Sequence, residues 1–99
     1  MSTQDSPAPL SWLVRVSGRV QGVNYRRFVQ ACAQELGVCG WVRNEFDGSV
    51  SALLQHESRA ALERMLEQMR EGSAFSEVES LEMRIAEEAP IYRGFEILR

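Results

Sequence analysis

Trp12, Val14 and Val16 alternate with Leu13, Arg15 and Ser17, a period of two that predicts a first strand ending at Gly18. From Tyr25 the period becomes that of a helix, with Phe28, Cys32 and Leu36 four apart and Val29 beside them. Asn24 stands at the N-cap position and Gly37 at the position just past the end, residue types suited to opening and closing a helix. Val38 to Asn44 is β-branched and aromatic, and Gly48 to Gln55 alternates through Val50, Ala52 and Leu54. Phe46-Asp47-Gly48 between them carries turn chemistry, so the pair reads as a hairpin. A second helix opens at Ser58, places Leu62, Met65, Leu66 and Met69 on one stripe, and stops at Gly72. A fourth strand follows through Leu81, Met83 and Ile85, and Phe95 to Leu98 forms a short fifth after the breaks at Pro90 and Gly94.

The order βαββαββ predicts an α+β fold, a ferredoxin-like α/β sandwich. Both helices should cover one face of an antiparallel five-stranded sheet, with the last strand added at an edge. Ninety-nine residues suffice for one such two-layer core. Residues 1–9 are short, polar and Pro-containing, and read as a flexible tail ahead of a domain spanning 10–99. They have neither the basic start nor the apolar run of a secretory signal or a membrane span. Cys32 and Cys39 form neither a disulfide framework nor a zinc spacing, which favours a reducing, cytoplasmic setting.

A net charge of −3 gives no overall pull toward nucleic acid or an anionic membrane, so any anion site must be a local concentration of donors. All 11 basic residues are Arg. The lack of Lys removes Schiff-base chemistry and any Walker-type phosphate lysine. Arg26 and Arg27 nevertheless fall in the first turn of the first helix, where the helix dipole disfavours cations. An anion at that end would resolve the conflict. Gly18 and Gly22 would let backbone N–H groups in the loop Gly18, Arg19, Val20, Gln21, Gly22, Val23, Asn24 converge with the free amides of the helix start. From this spacing alone a strand-to-helix turn with solvated arginines is the favoured reading, and Asn44 alone is ordinary turn chemistry.

Gly18-Arg19-Val20-Gln21-Gly22-Val23-Asn24-Tyr25-Arg26, followed by Gly40-Trp41-Val42-Arg43-Asn44 and Gly48-Ser49-Val50, resembles the acylphosphatase family. The resemblance runs over nearly the whole chain after residue 9. It implies a small enzyme that hydrolyses the carboxyl–phosphate bond of acyl phosphates, with no metal, cofactor or covalent intermediate. By that resemblance the Gly18–Asn24 loop binds phosphate through its amides, Arg26 is the catalytic phosphate ligand, and Asn44 is the catalytic residue that orients the attacking water. The substrate is a small-molecule acyl phosphate, inorganic phosphate or sulfate should compete with it, and a monomer is expected. The chemistry is coherent with these residue types. An amide is no base at neutral pH, but a leaving carboxylate with a pKa of about 4 departs without a general acid.

Other phosphate chemistries lack their parts. Six residues after Cys32 and Cys39 stand Val38 and Glu45 instead of Arg, so a Cys-loop phosphatase is excluded. With one His and no carboxylate cluster near the loop, a metal site lacks ligands. Arg19 and Arg27 are expected at the rim, Cys32 in the core, Trp12 and Trp41 in packing, and His56, where the family usually has Gly, in a surface turn. The alternative is a non-catalytic ligand- or RNA-binding module on the same fold. Gly48-Ser49-Val50-Ser51-Ala52-Leu53 lacks the aromatics that RNA binding on the third strand requires. An accessory domain of a larger carbamoyl-transferring protein would need zinc-binding cysteine pairs, which this chain does not carry.

Overall fold

The computed structural model describes residues 8–99. Its elements are β1 (Leu10–Arg19), α1 (Tyr25–Leu36), β2 (Cys39–Asn44), β3 (Val50–His56), α2 (Arg59–Glu71), β4 (Glu77–Ile85) and β5 (Phe95–Leu98). The tail assigned to residues 1–9 lies outside the described residues up to position 7.

The five strands form one sheet in the order β4-β1-β3-β2-β5. In β1 and β3 the alternation works as read: Trp12, Val14, Val16, Val50, Ala52 and Leu54 are buried against the helices. α1 adds Val29, Cys32 and Ala33 to this core, and α2 adds Leu62, Met65 and Met69. Each such fully buried aliphatic side chain contributes about 1.5–3 kcal/mol. α1 packs over β2 and β5, while α2 lies over β3, β4 and β1, so both helices share one face. No helix among the described residues is long and apolar enough to cross a membrane.

One expectation needs correction: the sheet is mixed, not antiparallel throughout. β5 pairs parallel to β2, through Gly40 with Phe95 and Val42 with Ile97. The chain leaves β4 at one edge, crosses to the other and reverses; because β2 already runs opposite to β4, the reversed strand must run with β2. The crossing is fastened by buried Gln55 on β3. Its amide donates to the Pro90 carbonyl at 2.7 Å and accepts from the Tyr92 N–H at 2.8 Å.

The helix ends behave differently from one another. Ser58 caps α2 as expected, its Oγ accepting the Ala61 N–H at 3.2 Å. His56 acts in the same turn, its Nδ1 accepting the Ser58 N–H at 2.8 Å. Asn24 occupies the N-cap position of α1 but makes no side-chain cap; it is held left-handed at φ 62°, ψ 24°. Cys32 is buried, and burial first, then the nearby Glu35, pushes its thiol pKa up. Trp12 is core, whereas Trp41 is half-buried on the opposite sheet face, under Arg43 and donating its Nε1–H to the Tyr92 hydroxyl at 3.2 Å. Glu77, Glu79 and Glu82 are exposed on edge strand β4, where charge discourages pairing with other chains.

Gly18 is both the expected end of the first strand and the expected first residue of the loop, and the structure keeps it in the strand. With Arg19 it belongs to β1, at a bulge where Gly18 pairs with Val78 and Arg19 with Glu77. Its φ is +126°, and a Cβ there would overlap the Glu77 carbonyl oxygen. Gly18→Ala should therefore lower stability by about 2 kcal/mol or more, read as a fall in denaturant midpoint. An unchanged midpoint would remove this close approach from the account.

Candidate active site

The site forms where the loop after β1, the start of α1, the end of β2 and β5 converge. Residues of β2 alternate between sheet faces, so Gly40, Val42 and Asn44 lie on the helix side and Trp41 and Arg43 on the other. This parity places Asn44 on the face that carries α1.

The N-terminus of α1 is left open by its own sequence. Its first intrahelical backbone bond is Phe28 N–H to Asn24 O, 3.1 Å, and the amides of Tyr25, Arg26 and Arg27 lie ahead of it without an intrahelical acceptor. Asn24 does not cap them and no acidic residue stands in the first turn. Asn is among the few side chains that tolerate the left-handed conformation. Gly22 is also left-handed, at φ +73°, and a Cβ on it would meet nothing within 4 Å, so the loop leaves free space there.

That space is a cleft of about 830 Å³, lined by Val20, Gly22 and Asn24 of the loop, Tyr25, Arg26 and Arg27 of α1, Asn44 of β2, and Ile97 and Arg99 at the C-terminal strand. Of the expected site residues it therefore unites Arg26, Asn44, Val20, Gly22 and Asn24. Gly18, Arg19, Gln21 and Val23 are not in its lining. Arg27, expected at the rim, does line it, as does Arg99, which no motif had marked.

The charged side chains lining the cleft have one sign. Its lining contains three guanidinium groups and no carboxylate side chain. A hollow of about 740 Å³ on the opposite sheet face instead mixes Arg15 and Arg84 with Glu45, Asp47 and Glu82. Hydrogen bonds, from Arg43 first and then Ser51, hold the Glu45 carboxyl below its ordinary range and keep its charge on that far side.

Four hydrogen bonds from three side chains aim the cleft. Arg26 Nη1 donates to the Leu98 carbonyl at 3.0 Å, leaving the other guanidinium N–H groups for a ligand. Gln21 Nε2 donates to the carbonyls of Glu45 and Ser49, 2.8 Å each. The buried Tyr25 hydroxyl donates to the Met69 carbonyl at 2.7 Å and ties the start of α1 to the end of α2. Asn44 Oδ1 is the exception: it is buried and has no hydrogen-bond partner. Native structures rarely leave such an acceptor empty, because its desolvation costs about 1–3 kcal/mol.

The acylphosphatase family model matches residues 12–97 of this chain. An acylphosphatase of Rhizobium etli is 46% identical over 84 residues, which cover 85% of this chain and 88% of that protein. The crystal structure of an acylphosphatase from Bacillus subtilis superposes with a TM-score of 0.86 at 34% identity, covering 91% of this chain and 99% of the other. An acylphosphatase structure from Coxiella burnetii gives 0.85 at 30% identity, covering 92% and 94%. The chain belongs to the acylphosphatase family.

Tyr25 gives this region an alkaline limit. Burial, and secondarily Cys32, raises its pKa well above the ordinary 10.0. Between the unfolded and folded values the unfolded chain binds fewer protons, so stability is full below about pH 10 and falls as pH rises above it. Tyr25→Phe should start less stable by about 1 kcal/mol, having lost the Met69 bond, and should show a shallower decline above pH 10 in denaturant titrations. Parallel curves would contradict this.

Proposed function

We propose that this chain is an acyl phosphate hydrolase in which one cleft separates two tasks. The phosphoryl oxygens rest on the first-turn amides of α1, the Val20–Asn24 stretch of the loop and the Arg26 guanidinium. Charge-assisted bonds of this kind contribute about 1.5–3 kcal/mol each. Asn44 Oδ1 accepts a hydrogen bond from water and presents its oxygen to phosphorus. The observation that carries the reading is this unpartnered amide oxygen on a residue lining a cleft whose charged side chains are all arginines.

The water oxygen forms the new bond to phosphorus as the bond to the acyl oxygen breaks. The carboxylate leaves with the electron pair, and the water proton passes to the phosphate product. Because that leaving group needs no proton and a loose phosphoryl transition state needs little base, positioning and donors suffice. The donors are strongest where charge develops on the equatorial oxygens. A monomer is the working unit in this scheme. Two free cysteines, Cys32 and Cys39, suit the cytoplasm as its place of work.

Folded protein should turn over benzoyl phosphate, with inorganic phosphate and sulfate as competitive inhibitors. Absence of turnover would refute the reading, and strictly non-competitive inhibition would refute the phosphate site. Arg26→Ala should lose most activity and phosphate affinity, with Lys a poor substitute because it lacks the planar fork. Its stability should change little: the lost bond to Leu98 is offset by removal of a cation from a helix N-terminus. Asn44→Ala should lower kcat on the order of a hundredfold while the inhibition constant for phosphate stays within about threefold. Equal losses in both would end the water-positioning role.

A further inference from the structure

Gln21 belongs to the loop by sequence, yet its side chain reaches out of the loop to the β2–β3 turn. Its Nε2 donates at once to the Glu45 and Ser49 carbonyls, 2.8 Å each. Among the described residues these are the only hydrogen bonds between residues 18–24 and residues 44–50, since no backbone bond joins the two segments.

The turn it grips is stiff. Glu45 N–H donates to Ser49 O at 2.8 Å and Gly48 N–H to Glu45 O at 3.2 Å. Asp47 Oδ1 accepts from Ser49 N–H and Oγ–H at 3.0 and 2.6 Å, and Asp47 also pairs with Arg15 of β1. Glu45 directly follows Asn44, whose Oδ1 has no hydrogen-bond partner to aim it. A primary amide is suited to this bridge, being neutral with two N–H donors for two carbonyl oxygens. A carboxylate there would set acceptor against acceptor.

We infer that Gln21 is a positioning residue that fixes the distance between the phosphoryl group on the loop and α1 amides and the water on Asn44. The inference rests on the proposed water-positioning role of Asn44. In-line attack requires the reacting atoms about 3–3.5 Å apart, and a misplacement of about 1 Å can cost a hundredfold in rate. β1 and α1 carry the phosphate half and the hairpin the water half; β1 pairs with β3 up to Val16 with Val50, and past that point, among the described residues, Gln21 alone hydrogen-bonds the loop to the turn. Without Gln21 both halves persist and their separation relaxes.

The test is a double-mutant cycle on benzoyl phosphate turnover. Gln21→Met keeps the length and loses both donors; it should lower kcat at least about tenfold while the inhibition constant for inorganic phosphate moves less than about threefold. In an Asn44→Ala background the same change should lower the residual kcat less than about twofold, because there is no longer a held water to misplace. A merely structural role would instead multiply the two losses. Circular dichroism and melting confirm folding; if Gln21→Met does not fold, Gln21→Asn, one methylene short of the two carbonyls, reads the same cycle. Multiplicative losses, unchanged kcat in the folded single variant, or phosphate affinity falling in step with kcat would each overturn the role of Gln21 alone. Normal turnover by Asn44→Ala would overturn the water-positioning reading and this inference with it.

Discussion

The seating of α1 on β2 and β5 is the contact from which the cleft follows. Val29 and Ala33 of the helix and Val42 of β2 are fully buried, and Phe95 of β5 nearly so. Because these side chains interlock at native packing density, the helix cannot slide without opening voids. Polar bonds then fix it against rotation: Gln30 Nε2 to the Phe95 carbonyl, Arg26 to Leu98, and Tyr25 to Met69. The helix therefore points its free amides at one spot, beside the end of β2 that carries Asn44.

That arrangement reconciles an acidic protein with an anionic ligand. The chain is negative overall, and long-range attraction does nothing for a phosphate. The structure instead gathers the Arg26, Arg27 and Arg99 side chains at the helix end, while the Glu45, Asp47 and Glu82 carboxylates lie across the sheet in the company of Arg15 and Arg84. Two features that would weaken an ordinary helix, an uncapped start and arginines beside it, are tolerated where the core supplies the stability.

Much of this was legible because the relevant signals are local. Periods of two and four, the β-branched run at residues 38–44 and the breaks at Pro90 and Gly94 mark all seven elements, and Ser58 and Gly72 bound α2 by cap chemistry that acts within four residues. What stayed hidden depends on contacts between distant positions. The parallel run of β5 follows from a crossing fastened by Gln55, and Gln55 reads in sequence as one more polar position in a strand. Gly18 looked like a member of the loop because glycine spacing cannot tell a turn from a bulge pressed on a neighbouring strand. Asn24 was placed correctly at the helix start, but its failure to cap depends on a backbone angle that residue type leaves open. Arg99 lacked any motif, since its relevance comes only from β5 lying beside α1.

The bond from Arg26 to Leu98 spans 72 positions of the chain. During synthesis the loop, the first helix and the hairpin leave the ribosome well before the strand that aims the arginine. Loop closure over such a separation comes late in folding, after the local contacts have formed. A nascent chain that has not yet made β5 thus carries the α1 amides and Arg26 without the Leu98 carbonyl that holds the arginine, so on the proposed reading the site is assembled only once β5 docks beside β2.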